Sequence, residues 1–106
     1  MSNKYKLEFL PIAKKDIDDI IYYVSKNLKN RTAAINLSKE FIKGANDILN
    51  FPYGLSEYKS KYKLNNVYRS IKVKNFLMFY TINEKDRIIT IVRVLYQKMN
   101  ISSMLE

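Results

Sequence analysis

Val67-Tyr68-Arg69-Ser70-Ile71-Lys72-Val73-Lys74-Asn75-Phe76-Leu77-Met78-Phe79-Tyr80 reads as two strands, Val67 to Val73 and Phe76 to Ile82, joined at Lys74-Asn75. Its β-branched and aromatic residues suit a pleated, half-buried surface. Two residues between the strands make a tight hairpin turn. A third strand, Arg87 to Tyr96, follows a four-residue turn at Asn83-Glu84-Lys85-Asp86. On the upstream side, Tyr58 to Leu64 alternates lysines with Tyr, Ser and Leu, as an edge strand or an extended loop would.

The N-terminal half has a different period. Tyr5 to Leu10 alternates like a strand, and Pro11 suits the first turn of a helix, where its missing N–H costs nothing. Ala13, Ile17, Ile20, Ile21, Val24 and Leu28 then recur at helical spacing, with Lys14, Lys15, Asp18 and Asp19 facing water. Asp16, Asp18 and Asp19 are read as acids favoured near the start of a helix by its dipole, without a chemical role. This helix ends near Asn27-Leu28-Lys29-Asn30. Thr32 is a fair N-cap for a second helix, whose stripe is Ala34, Leu37, Phe41, Ala45, Ile48 and Leu49. Gly44 on that stripe marks a close approach to a neighbouring element, and Pro52 stops the helix. The order β-α-α-β-β-β predicts one α+β domain over residues 1–106. A long antiparallel helical hairpin packs on one face of a mostly antiparallel sheet.

With 106 residues the chain is long enough for one hydrophobic core and too short for two ordinary domains. Cysteine and histidine are both absent, which removes disulfides, thiolate metal sites and the commonest general base. No metal or other cofactor is expected. No apolar run approaches the roughly 20 residues of a membrane span, and the opening residues lack a signal-peptide core, so a cytoplasmic protein is expected. The net charge is +9, of which residues 1–52 carry +3 and residues 53–106 carry +6. Between Glu57 and Glu84 there is no acid, while Lys59, Lys61, Lys63, Arg69, Lys72 and Lys74 are present. Such a stretch attracts polyanions and acidic proteins.

Strand parity extends the reading. The proposed turns set Arg69 beside Tyr80, Ile71 beside Met78 and Phe76 beside Arg93. Arg69, Tyr80 and Arg93 then share one sheet face, as a site for phosphates or carboxylates. Tyr68, Ser70, Lys72, Leu77, Phe79, Thr81, Val92, Val94 and Tyr96 take the other. The alternative is that both arginines are tied to buried carboxylates or carbonyls and organise the core. A single β-bulge would swap the faces.

The segment Val67 to Tyr80, the later Ile91-Val92-Arg93-Val94-Leu95-Tyr96, the opening Pro11-Ile12-Ala13-Lys14-Lys15-Asp16-Ile17 and Phe51-Pro52 together resemble the RelE/ParE toxin superfamily. The resemblance spans nearly the whole chain. It implies a toxin neutralised by a cognate antitoxin, with promoter DNA bound only through that antitoxin. The superfamily has two activities. RelE-like members cleave messenger RNA in the ribosome without a metal; ParE-like members poison DNA gyrase and are not enzymes. The long hairpin, Arg93-Val94-Leu95 and the absence of histidine lean towards ParE. Tyr96 stands where a histidine is often found, and Gln97-Lys98-Met99-Asn100 departs from the family's arginine-rich tail.

On the ribonuclease alternative, Arg69 and Lys72 lie near the position of a catalytic basic residue. Arg93 and Lys98 would contact phosphate, and Tyr96 would stack on a base or shuttle a proton. The lysine-rich segment Lys59, Lys61 and Lys63 would suit ribosomal RNA, and Lys74, Tyr80 and Lys98 are further binding candidates. A third possibility is a degenerate, non-toxic member that only binds antitoxin.

Overall fold

The computed structural model describes residues 4–54, 57, 58, 64 and 66–105. Strand β1, Lys6–Phe9, leads into helix α1, Pro11–Tyr22, whose rod continues as a π-helical turn over Tyr23–Asn27. Helix α2 spans Arg31–Asn50, strands β2, β3 and β4 span Arg69–Val73, Phe76–Asn83 and Ile88–Tyr96, and a short helix α3 covers Ile101–Leu105. The sheet order is β1-β4-β3-β2, with β1 parallel to β4 and the other two pairings antiparallel. The expected β-α-α-β-β-β order and the helix-backed, mostly antiparallel sheet are both present.

Pro11 occupies the first turn of α1 as expected. The second helix is capped two residues earlier than expected, by Asn30 rather than Thr32. Asn30 Oδ1 accepts the Ala33 N–H at 3.0 Å. Gly44 lets α2 lie directly on the sheet: an added Cβ would stand 2.8 Å from Val73 Cγ2 and 3.2 Å from Met78 Sδ. Phe41, Ala45 and Ile48 of α2 meet Val73, Met78, Tyr80, Ile89, Ile91 and Val94 of the sheet in the main core. Each fully buried aliphatic or aromatic side chain there contributes on the order of 1.5–3 kcal/mol.

The other sheet face carries a second core. Tyr68, Phe79 and Leu95 are buried beneath Ile101 of α3, with Tyr58, Leu64, Met104 and Leu105 around them. The domain is therefore layered on both sides of its sheet, thick with helices on one and thinly covered on the other.

Two details differ from the sequence reading. Leu28, read as part of the α1 stripe, is 56% exposed. The π turn explains this: the Leu28 N–H reaches back five residues to the Tyr23 carbonyl, which rotates later residues off the helical period. Acids do not cluster in the first turn of α1, so the dipole does not account for Asp16, Asp18 and Asp19.

Candidate functional site

β2 and β3 pair as expected, with Arg69 opposite Tyr80 and Ile71 opposite Met78. The β3–β4 pairing does not follow the expected register: Phe76 stands opposite Tyr96, and Arg93 stands opposite Phe79. The turn occupies Glu84 to Arg87 rather than Asn83 to Asp86, because the first pair is Asn83 with Ile88. Asn83 Oδ1 accepts the Asp86 N–H at 3.0 Å, and Arg87 closes the turn in the left-handed region with φ 57°. That change alone preserves parity. A bulge between Tyr80, paired with Ile91, and Phe79, paired with Arg93, then inverts it. Arg93 moves to the face with Phe79, while Val94 and Tyr96 move to the helix-covered face. The expected Arg69–Tyr80–Arg93 constellation is thus not formed.

Arg93 is instead a structural knot. Its Nε and Nη2 donate to Asp16 Oδ2 and Oδ1 at 2.8 and 2.9 Å, a bidentate fork. Its Nη1 donates to the Met104 carbonyl at 3.1 Å, tying α1, β4 and α3 together. Asp16 Oδ2 also accepts the Val94 N–H at 3.0 Å, beyond the point where β1 stops pairing with β4. The carboxylate holds the guanidinium more firmly protonated than usual. The position of Asp16 carries a sequence signal of this pairing. It lies three residues after Ala13 and four before Ile20, on the apolar flank of α1, where an acid needs a cationic partner.

Arg69 opens β2 on the helix-covered face, the opposite face from Arg93. Its Nη2 is 3.7 Å from Glu57 Oε2, and its guanidinium carbon sits 5.2 Å from the Tyr53 ring centre. Tyr80 is wholly buried, and its hydroxyl donates to the Pro52 carbonyl at 2.7 Å. Burial pushes that hydroxyl up to about 12, against a small opposing pull from Arg69. Here Tyr80 anchors the turn after α2.

Beside it, Glu84 accepts hydrogen bonds from the hydroxyls of Tyr53 and Tyr5 and pairs with Arg87 Nη1 at 2.6 Å. The tyrosine hydrogen bonds, Tyr53 first, hold the Glu84 carboxyl below its ordinary range. Glu84 joins β1, the post-α2 turn and the β3–β4 hairpin. Nothing in the sequence brings Tyr5 and Glu84, 79 residues apart, into view.

The remaining candidates scatter. Lys72 is exposed on β2, on the face of Leu77 and Phe79. Lys74 is exposed in the β2–β3 turn with φ 55°. Tyr96 ends β4 on the helix-covered face, 39% exposed, with its ring edge-on to Phe76 at 5.9 Å. Lys98 is exposed just beyond it. Lys59, Lys61 and Lys63, and most of the Tyr58–Leu64 stretch, lie outside the described residues; Glu57 itself bridges antiparallel to Arg69. Among the described residues no group of acids could hold a metal ion, and no helix is long and apolar enough to cross a membrane.

Two clefts flank these residues. One, of about 430 Å³, lies on the thinly covered face among Thr81, Thr90, Val92, Arg93, Tyr68 and Met104. The other, of about 610 Å³, opens where the π turn meets the end of the sheet. It is lined by Ile20, Tyr23, Val24, Leu28, Phe76 and Tyr96, with Asp19 and Asn75 at its edge.

The fold is similar to solved toxin–antitoxin structures. The chromosomal ParDE system of P. aeruginosa matches with a TM-score of 0.70 at 16% identity, over 90% of this chain and 98% of that one. The archaeal RelE–RelB complex of Pyrococcus horikoshii OT3 matches with 0.61 at 11%, over 90% and 97%. The RelBE2 toxin–antitoxin complex of Mycobacterium tuberculosis matches with 0.56 at 18%, over 88% and 98%. No curated relative matches the chain. The family model for the ParE toxin of the type II toxin–antitoxin system parDE matches residues 7–101. The chain belongs to the ParE toxin family of type II toxin–antitoxin systems.

Proposed function

We propose that this toxin, when not held by its antitoxin, arrests growth in the cytoplasm by poisoning DNA gyrase, without catalysing a reaction of its own. The supporting observation is the dispersal of the four candidate ribonuclease residues. Arg69 and Tyr96 share a face but sit at opposite ends of it, opposite Tyr80 and Phe76 respectively. Four residues along a strand is about 13 Å. Lys72 and Arg93 are on the other face. Metal-free cleavage of a phosphodiester requires a proton-transfer group and phosphate-stabilising cations converging on one reacting centre. Three of the Arg93 N–H groups are already committed to Asp16 and Met104. A protein that acts by occupying a surface needs no such convergence, and the match to the ParE family agrees with that mode.

The antitoxin is the expected binding partner, and promoter DNA is reached through it. Inducing the chain without the antitoxin tests the proposal in cells. Filamentation with protein-linked DNA breaks is the expected result. Codon-positioned cuts in messenger RNA, with intact chromosomes, would overturn it in favour of the ribonuclease. Neither effect, with antitoxin binding retained, would identify a non-toxic member.

A further inference from the structure

We propose that β1, the open edge of the sheet, pairs antiparallel with β1 of a second copy of this chain, joining two four-stranded sheets across a twofold axis. The inference goes beyond the activity proposed above and does not depend on it.

The two sheet edges differ. Beside β2 the edge is already occupied: Glu57 bridges to Arg69, and the Tyr58 N–H bonds to the Tyr68 carbonyl. Among the described residues, β1 has β4 as its one strand partner. The Lys6 and Leu10 N–H groups donate to the Arg87 and Ile91 carbonyls on that side. Glu8 is in the same phase, because alternate residues of a parallel ladder face the same neighbour. Tyr5, Leu7 and Phe9 therefore aim their N–H and C=O groups outward, as a template for another strand.

Charge selects both the occupant and the register. An exposed lysine on an edge strand ordinarily discourages pairing. Here exposed Lys6 is followed on the same sheet face by exposed Glu8, and neither enters an ion pair among the described residues. Hydrogen bonding requires outward-facing residues to stand opposite one another. Placing Leu7 opposite the partner's Leu7 satisfies this, with Tyr5 opposite the partner's Phe9. Lys6 then faces the partner's Glu8, and Glu8 the partner's Lys6, in close pairs with Cα atoms about 4.5 Å apart. Sliding the partner by two residues either way sets lysine against lysine or glutamate against glutamate. One register attracts and its neighbours repel. The pattern is self-complementary, as a twofold contact requires. Along the adjoining stretch of α2, Lys39 and Lys43 offset Glu40 and Asp47, whereas residues 53–106 hold +6 of the +9. Two basic chains meet here with least repulsion.

Apolar surface adds to the strand pairing. On the helix-covered side, Leu7 and Phe9 line a groove of about 450 Å³ with Ile17, Phe41, Ile42 and Ala45. Ile42 is 63% exposed, and Ile35, two turns earlier on α2, is 51% exposed. A twofold axis perpendicular to the sheet puts the helices of both copies on the same side. The two grooves then adjoin across Leu7 and the partner's Leu7. Covering them removes apolar area from water that a four-residue strand alone does not supply.

Sedimentation velocity of the intact chain, free of antitoxin, tests this as concentration is raised, after thermal melting shows each variant folded. The parent should pass from monomer to dimer. Lys6→Glu and Glu8→Lys, both at exposed positions, should each weaken the dimer about tenfold or more. Mixing these two variants should restore it, because opposite charges again face each other across the axis. Ile42→Glu should weaken the dimer by a similar factor, with no rescue by either charge variant. A parent that stays monomeric, or a mixture no tighter than the variants alone, overturns the proposal. So does a monomeric parent whose antitoxin complex is weakened by Lys6→Glu, which gives the edge to the antitoxin instead.

Discussion

Arg93 and Asp16 close a bidentate fork between residues 77 apart in sequence, and the same carboxylate satisfies the Val94 N–H. The side chains are 15% and 13% exposed, so the pair is held largely away from water. It secures the point where β4 outruns β1 and where α3 folds back.

Removing one partner should therefore cost more than removing both. Asp16→Ala leaves a largely buried guanidinium and a backbone N–H without their carboxylate acceptor, and should destabilise the fold by about 3 kcal/mol in urea unfolding. Asp16→Ala combined with Arg93→Met should recover part of that loss. Equal stability of parent and Asp16→Ala would show that the fork holds nothing together.

Gly44→Ala sets two effects against each other. Helix propensity favours alanine by about 1 kcal/mol. The new Cβ, 2.8 Å from a methyl of β-branched Val73, forces a shift that costs about 1–3 kcal/mol. A lowered melting temperature is expected, with partial rescue by Val73→Ala. A raised melting temperature would mean the helix can lift off the sheet freely.

Glu84 predicts a pH dependence. Its carboxyl titrates below the ordinary value of 4.5 in the folded protein because Tyr53 and Tyr5 donate to the charged form. A depressed carboxyl contributes stability above its unfolded value and loses it as pH falls through the folded one. Stability of the parent should decline from about pH 4.5 downward by more than that of Glu84→Gln, which should also be less stable at pH 7. Parallel pH profiles would contradict the clasp.

Tyr80→Phe separates anchoring from binding. The variant loses the bond to the Pro52 carbonyl and should lose about 1–2 kcal/mol of stability, with toxicity unchanged in cells at permissive temperature. Loss of toxicity without loss of stability would return Tyr80 to the binding surface.

The fold was legible because its signals are local. The alternation from Val67 to Tyr96, the stripes of α1 and α2, Pro11, Gly44 and Lys74-Asn75 each act within a few residues. The Arg69–Tyr80 register followed from a two-residue turn. The candidate site was less legible because it depended on register beyond a longer turn. One extra residue near Val92 carried Arg93 to the opposite face, and β-branched runs such as Ile88 to Val94 give no sign of where a bulge falls. The π turn is equally silent in the sequence, so the helical period alone places Leu28 in the core it leaves. Asp16 was readable in principle, as an acid on an apolar helix flank.

Gyrase poisoning by binding alone is the activity proposed for this ParE-family chain. Purified chain, free of antitoxin, added to gyrase, ATP and relaxed plasmid provides the direct measurement. Loss of supercoiling with accumulation of enzyme-linked linear DNA is the predicted result. Undiminished supercoiling, with the same preparation cutting messenger RNA on ribosomes, would contradict it.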